Sequence, residues 1–513
     1  MTFQQRARPA GAFRSRIAAS APAVEPTRAT ILAVFAAFVV IWALYFTITE
    51  APVAIKHDMA EAYAWGQEFQ LGYNQHPPFW AWICGLWFSV FPRTGWAFAL
   101  LSSVNAGIGL WGAWMLLGDF AEGRKRMAAW VLLLLTPLYT FYAYKYDANI
   151  IFISIWPWTL HYFMRSVQGR GMRDAIGFGV MVGLALMSKY YALILVATCF
   201  LAALQHPSRR KYFTSASPYV SAVVTTVVCL PHVWWLLTHR APPVRYLESI
   251  TGWPWHYIIA HAVKAFFGAL GMSLGVVLVI GWTIWTARRG GIAAAARRTR
   301  SPTLGLLATL TLPPLLLTIA SALALRTTVT EEMLIGTFPL LPLLVIEATG
   351  IQDIARLYRT SARLAVGVTL GALAIAPGFA LARTYVLHAA MKVAPFQEVA
   401  VAATRLWHDR TAQPLAYVGG TVWYENETAF YSPDRPHAFV RFEYSHNLWV
   451  TPAAIAKHGL LSICVANDSA CLAATAKFVT PDSTRTELSL AHRFWGHVAR
   501  TVHFVVTVIP PRA

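Results

Sequence analysis

Charge is what this sequence has least of. Only 13% of its 513 residues are Asp, Glu, Lys or Arg, against about a quarter in ordinary soluble domains. Apolar runs of roughly 18 or more residues recur between Thr30 and Tyr385, and each can cross a hydrocarbon core of about 30 Å. A soluble globular chain is excluded, and a polytopic membrane protein remains. Acidic residues are scarcest, 23 against 42 basic ones, leaving a formal net charge of +19. That excess does not point to nucleic acid. The cations cluster in short connections, at Arg124-Lys125-Arg126, Arg209-Arg210-Lys211, Arg288-Arg289 and Arg297-Arg298, as cytoplasmic loops require. No P-loop and no G-x-G-x-x-G after a strand is present, so a nucleotide donor has no support. There are five cysteines. Three lie in apolar segments. Cys464 and Cys471 lie in the polar C-terminal part, where an oxidising compartment would permit a bridge; two buried thiols are the alternative. His57 and His76 have no third ligand at suitable spacing, so no metal site is expected.

Charge also threads the chain. The segment 1–28 is basic and rich in Ala and Pro, and reads as a disordered cytoplasmic tail before a retained anchor helix over 29–48. The loop 49–94 then lies outside. Within it, Pro77–Phe91 is apolar but only about 15 residues, short for a span. If it crossed, Arg124-Lys125-Arg126 would fall outside, so it reads as interfacial. Asp174–Leu204 has basic loops on both sides, which makes it a hairpin of two short helices turning at Lys189-Tyr190. Other spans are expected near 95–117, 213–237, 258–286, 302–325, 333–349 and 364–385. The total is about 11 helices. From Leu387 the chain turns polar. "PLAYVGG", "LLSICVAN" and "VHFVVTVIP" read as strands, and Thr451-Pro452 as the start of a helix. The expectation is a mainly α membrane region, 29–386, followed by a small α/β domain, 387–513, on the outer side.

On this topology the polar residues gather on the outer face. Asp58, Glu61 and His76 lie in the first loop; Lys145, Asp147 and Asn149 in "YKYDAN"; Lys189 and Tyr190 in "SKYY". Arg240 and Arg245 lie in "RAPPVRYLESITGWPWH", and Arg326 in "RTTVTEE". Charge at membrane depth is costly and is kept mainly for function. Asp58 and Glu61 share a helical face, and a carboxylate in a partly dry cleft can act as base towards a hydroxyl. The cations could hold a phosphate as it leaves. Each group also has a plainer reading. The acids fit a solvated loop face, Lys189 a snorkelling side chain, and Trp253 and Trp255 an interfacial aromatic belt.

The stretch "HDMAEAYAWGQEFQLGYNQHPPFWAW" (57–82), followed by "YKYDANIIFISIWPW" and "LMSKYYALIL", resembles the dolichyl-phosphate-mannose protein mannosyltransferase-like family. This is the bacterial branch of the GT-C glycosyltransferases, which includes the lipid A aminoarabinose transferase. The resemblance covers about residues 30–350, and more loosely "YVGGTVWYENETAFYSPDRP". It implies the GT-C membrane fold, an interfacial helix at His-Pro-Pro, and a small periplasmic C-terminal domain. It implies an inner-membrane enzyme that moves a sugar, with inversion, from a polyprenyl-phosphate donor to a glycolipid such as lipid A, or to a polysaccharide. No metal or other cofactor is implied. Asp58 matches the family's base. Many relatives have adjacent Asp-Glu, whereas here Met59 follows Asp58 and the second acid is Glu61. The role of Glu61 therefore stays open between catalytic partner, acceptor positioning and structure. A transporter or flippase for lipid-linked sugars is the main rival. It predicts an internal repeat and polar residues at mid-membrane, and neither is evident. A non-catalytic scaffold is the third reading.

Overall fold

The computed structural model describes residues 27–289, 302–386 and 394–512. The 1–26 tail, the Arg297-Arg298 pair and the junction 387–393 lie outside the described residues. Helix α1 (Arg28–Glu50) starts at Thr27, whose hydroxyl accepts the Thr30 N–H, satisfying one of the first-turn donors that have no intrahelical partner. Two short helices follow in the first loop, α2 (His57–Gly66) and α3 (Phe79–Val90). Then come α4 (Gly95–Leu117), α5 (Gly123–Leu133) and α6 (Phe152–Val167). Helices α7 (Met172–Leu186) and α8 (Ala192–Gln205) are separate, with Lys189-Tyr190 in the break. They lead to α9 (Arg209–Thr214), α10 (Ser217–Thr238), α11 (Pro242–Ser249), α12 (Trp255–Arg289) and α13 (Pro302–Leu325). A 3-10 segment, Glu331–Thr337, meets α14 (Leu341–Thr349) at a bend of 57°. Helix α15 (Ile354–Val386) completes the bundle.

Among the described residues six helices, α1, α4, α10, α12, α13 and α15, are long and apolar enough to cross a membrane, or seven counting the bent pair. The count of about 11 is not reached on that measure. Helices α5, α6, α7 and α8 have 11, 16, 15 and 14 residues, below the ~20 that a full span needs. The reason is local. Pro137 follows α5, and the chain then turns through the irregular segment that carries Lys145 and Asp147. The break after α7 delivers Lys189 in the same way. At 12 residues, α3 is too short to span, in keeping with an interfacial Pro77–Phe91. It crosses α2 where Gly66 meets Gly85. A Cβ on Gly66 would come within 2.6 Å of the Gly85 amide nitrogen, so only glycine lets these backbones touch.

The C-terminal part is layered. Helix α16 (Phe396–His408) precedes β1 (Tyr417–Gly420), α17 (Tyr424–Tyr431) and β2 (His437–Phe439). Helix α18 (Pro452–His458), β3 (Leu460–Val465), α19 (Ser469–Ala476), β4 (Thr484–Leu490), the hairpin β5 (Arg493–Phe494) and β6 (His497–Val498), and β7 (Val502–Ile509) follow. The main sheet has order β2-β1-β3-β7-β4. Strand β1 runs parallel to β2 and β3, and β7 is antiparallel to β3 and β4. Alternation along β3 sends Leu461 and Ile463 to the α16 side, beside Trp407, and Leu460 and Cys464 to the other side, beside Ile455 and Cys471, as the two-residue period requires. Thr451 caps α18 by accepting the Ala454 N–H. Cys464 and Cys471 are disulfide-bonded. The three expected strands are β1, β3 and β7; β2, β4 and the β5–β6 hairpin were not foreseen.

Polar ties join this domain to the membrane part. Arg93 donates to the carbonyls of Phe430 at 2.9 Å and Ser432 at 2.6 Å. Glu68 pairs with His437 at 2.7 Å, and Gln67 donates to the Pro436 carbonyl. Helix α2 is therefore gripped from both sides, by α3 and by α17.

Candidate active site

Asp58 stands in the first turn of α2, where the helix dipole favours a negative charge. Lys145 reaches it at 2.7 Å and also pairs with Asp147 and Glu332, each at 3.1 Å. Asp147 is 3% exposed. Its other oxygen accepts the N–H groups of Asn149 at 2.6 Å and Ile150 at 2.9 Å. This local turn fixes the loop that presents Lys145. Lys189 donates to Asn149 at 2.6 Å. Segments distant in sequence thus converge on one cluster, and each was placed on the outer face from its surroundings alone.

The two first-loop acids differ sharply. Burial pushes the Asp58 carboxyl up, but Lys145 outweighs it and holds the group below the usual carboxylate range. Asp58 is ionised at neutral pH, and its side chain is 41% exposed. Glu61, one turn further on, is raised to about 8 by burial, with repulsion from Asp58 and Asp147 adding to it and Lys189 opposing. It holds its proton at neutral pH. Burial lowers His57 to about 4 and His76 to about 3, so neither is a cation there. The ring of His76 packs among Trp65, Trp80 and Tyr246.

Beside the cluster lies a cavity of about 820 Å³. Glu61 and Trp65 of α2 form one wall, Arg245 and Tyr246 of α11 another, and the turn bearing Arg441 and His446 closes it from the C-terminal domain. The remaining expected residues lie differently. Tyr190 bonds His232 at 2.7 Å, which in turn reaches the Leu71 carbonyl, so it braces the first loop. Arg326 donates to the Trp253 carbonyl at 2.9 Å and lies over the Trp255 ring. Among the described residues no hydrogen bond or ion pair joins Arg240, Arg245 or Arg326 to the carboxylate cluster. Two members were not foreseen as site residues. Glu332 was legible only as a charge in an outer loop, and Arg441 carried no sequence signal. No group of three His, Cys, Asp or Glu side chains among the described residues is arranged to hold a metal ion.

A helical bundle with apolar helices long enough to cross a membrane, under a small sheet domain, has the architecture of the GT-C fold and is similar to the solved structure of ArnT. The comparisons bear out the resemblance read in the sequence. The model of the dolichyl-phosphate-mannose-protein mannosyltransferase family matches residues 75–235. The lipid A galacturonosyltransferase RgtD of Rhizobium johnstonii is 25% identical over 256 residues, 45% of this chain and 50% of the relative. The chain thus spans about half the length of the curated relative it matches. ArnT from Cupriavidus metallidurans, solved bound to undecaprenyl phosphate, superposes with a TM-score of 0.58 at 13% identity, over 93% of this chain and 98% of that one. Its apo form gives the same TM-score over 92% and 97%. At that identity the likeness is one of fold.

Proposed function

We propose that this chain is a membrane glycosyltransferase that moves a sugar from a polyprenyl-phosphate donor to an envelope glycolipid of the lipid A type at the periplasmic face of the inner membrane. The observation that carries this reading is the Asp58–Lys145 pair, one helical turn from Glu61, which lines a cavity walled by both parts of the protein. Asp58 takes the proton of the acceptor hydroxyl. The hydroxyl oxygen forms a bond to the anomeric carbon from the face opposite the phosphate, and the carbon–oxygen bond to the phosphate breaks. The sugar is inverted and polyprenyl phosphate departs with the bonding electron pair. Charge grows on the leaving oxygen, so cations already in place there lower the barrier most. Lys189, whose hydrogen-bond partner is neutral, and Arg245 serve as that pair. Lys145, shared by three carboxylates, holds Asp58 in position instead. Neutral Glu61 donates a hydrogen bond to the acceptor.

The test uses full-length protein in nanodiscs with radiolabelled polyprenyl-phosphate sugars and a membrane lipid extract. Transfer by the wild type and its loss in Asp58→Asn, with folding intact, is the expected result. Equal transfer by both removes Asp58 as base. No transfer from any donor sinks the enzyme reading and leaves the flippase to be tested by lipid translocation.

A further inference from the structure

The cavity contains a cation that the transfer chemistry does not use. Arg441 lies on the wall contributed by the C-terminal domain. It is exposed and makes no hydrogen bond or ion pair among the described residues. Its backbone is left-handed, with φ 56°, and so is that of Phe442, with φ 57°. Two consecutive non-glycine residues in that region are strained, and the surroundings must hold them there. Two devices do so. Asn447, fully buried, bonds both the amide and the carbonyl of Val440, at 3.1 and 2.9 Å, and also the Glu443 carbonyl at 2.8 Å. Phe442 is buried against Phe439 and Phe478 and fills the space beside Gly419, where an added Cβ would come within 2.4 Å of its ring. With Asn447 closing the turn and Phe442 anchored inward, the intervening geometry turns Arg441 outward to the cavity.

The charge around it favours an incoming anion. Arg245 lines the facing wall, also without an ion pair. Of the cavity's two acids, Glu61 is held neutral by its burial and neighbouring carboxylates, whereas Glu443 lies 3.1 Å from His446, whose imidazole is held below its usual range by burial and does not cancel the carboxylate. Two guanidiniums therefore face the space against one carboxylate, and a guanidinium binds a phosphate or carboxylate through two parallel hydrogen bonds. In the proposed reaction the donor phosphate is held from the bundle side, with Lys189. Arg441 comes from the water-facing domain on the opposite wall.

We infer that Arg441 is an acceptor-recognition residue: it binds an oxyanion, phosphate or sugar carboxylate, on the acceptor saccharide and makes the C-terminal domain part of the acceptor site. This rests on the glycosyltransferase reading for the word acceptor, but the binding itself can be measured without turnover. Full-length protein in nanodiscs would be titrated with lipid A bisphosphate, with dephosphorylated lipid A, with dephosphorylated lipid A carrying acidic core sugars, and with polyprenyl phosphate. The wild type should bind the first or third of these at least about tenfold more tightly than the second, and which of the two does so identifies the oxyanion. Arg441→Gln should erase that preference, Arg441→Lys should keep part of it, and polyprenyl phosphate should bind all three proteins alike. Thermal melting of each variant reports folding. Gly419→Ala supplies a second arm. It leaves Arg441 in place but displaces Phe442, and should weaken the same preference. An unchanged preference in Arg441→Gln overturns the inference, as does a loss confined to polyprenyl phosphate or no preference in the wild type. Intact binding without any transfer would instead count against the proposed activity alone.

Discussion

The carboxylate cluster beside the cavity and the cavity wall from the C-terminal domain hold their charges in opposite ways. In the cluster each cation already has its partner: Lys145 is shared by Asp58, Asp147 and Glu332, and Lys189 is bonded to Asn149. On the C-terminal side Arg441 stands alone on a strained turn. A paired array keeps fixed charges where bonds change and needs no reorganisation during the reaction. An unpaired guanidinium gains most when a ligand brings the missing charge. In the proposed reaction the cluster carries the chemistry and the C-terminal wall the selection.

The comparison breaks most directly at Asp58. Asp58→Asn keeps the size and much of the hydrogen bonding but cannot accept a proton, so kcat should fall by about a thousandfold, within the range for a lost general base. Radiolabel transfer measures it, and a loss below about tenfold would put the base elsewhere. Next comes Lys145→Met, which leaves Asp58, Asp147 and Glu332 facing one another without their shared cation. Removing one partner of a buried ion pair costs on the order of 3 kcal/mol. The variant should both melt earlier and lose transfer, whereas Asp58→Asn should lose transfer alone. A Lys145→Met protein with unaltered melting would show that the cluster is not held by this cation.

A smaller effect separates the two regions by stability. The Cys464–Cys471 bridge closes a short loop, with a sequence separation of 7, worth about 2.5 kcal/mol in the chain-entropy account. Replacing both cysteines by serine should raise hydrogen exchange in β3 and α19 while leaving α1 and α4 unchanged. Exchange that rises equally in the bundle would mean that the two regions unfold as one.

Much of this contrast was legible in the sequence, and unevenly so. Apolar length located α1 and α4 closely, because a span is a local property. The break at Lys189-Tyr190, the short helix after His-Pro-Pro and the Thr451 cap also followed from adjacent residues, while the sequence leaves the Cys464–Cys471 bridge open against two buried thiols. The number of spans did not, because the short helices α5 to α8 are stabilised by packing, which no single stretch encodes. Strand β4 hides because its exposed positions read as an ordinary polar segment. Glu332 joins the cluster only through a contact 187 residues away from Lys145. Arg441 is invisible for a related reason. What makes it available is the burial of Phe442 against Gly419 and the Asn447 clamp, and a sequence read in isolation shows neither.

The finest test is the proton on Glu61. Its folded pKa of about 8 lies above the ordinary 4.5. Below pH 4.5 the group is protonated whether the protein is folded or not, and its ionisation then costs the fold nothing. As pH rises from 4.5 through 8 the unfolded chain releases the proton first, and the folded state loses stability relative to it until Glu61 also ionises. Asp58 shifts the other way and is already charged across this window. If neutral Glu61 donates to the acceptor, transfer should be flat near neutrality and fall towards tenfold per pH unit above pH 8. Glu61→Gln, a permanent neutral donor, should retain transfer at pH 7, remove the alkaline fall, and melt higher than the wild type at pH 9. An alkaline fall of the same size in Glu61→Gln would assign that limb to another group, and Glu61 would then be a structural acid of α2.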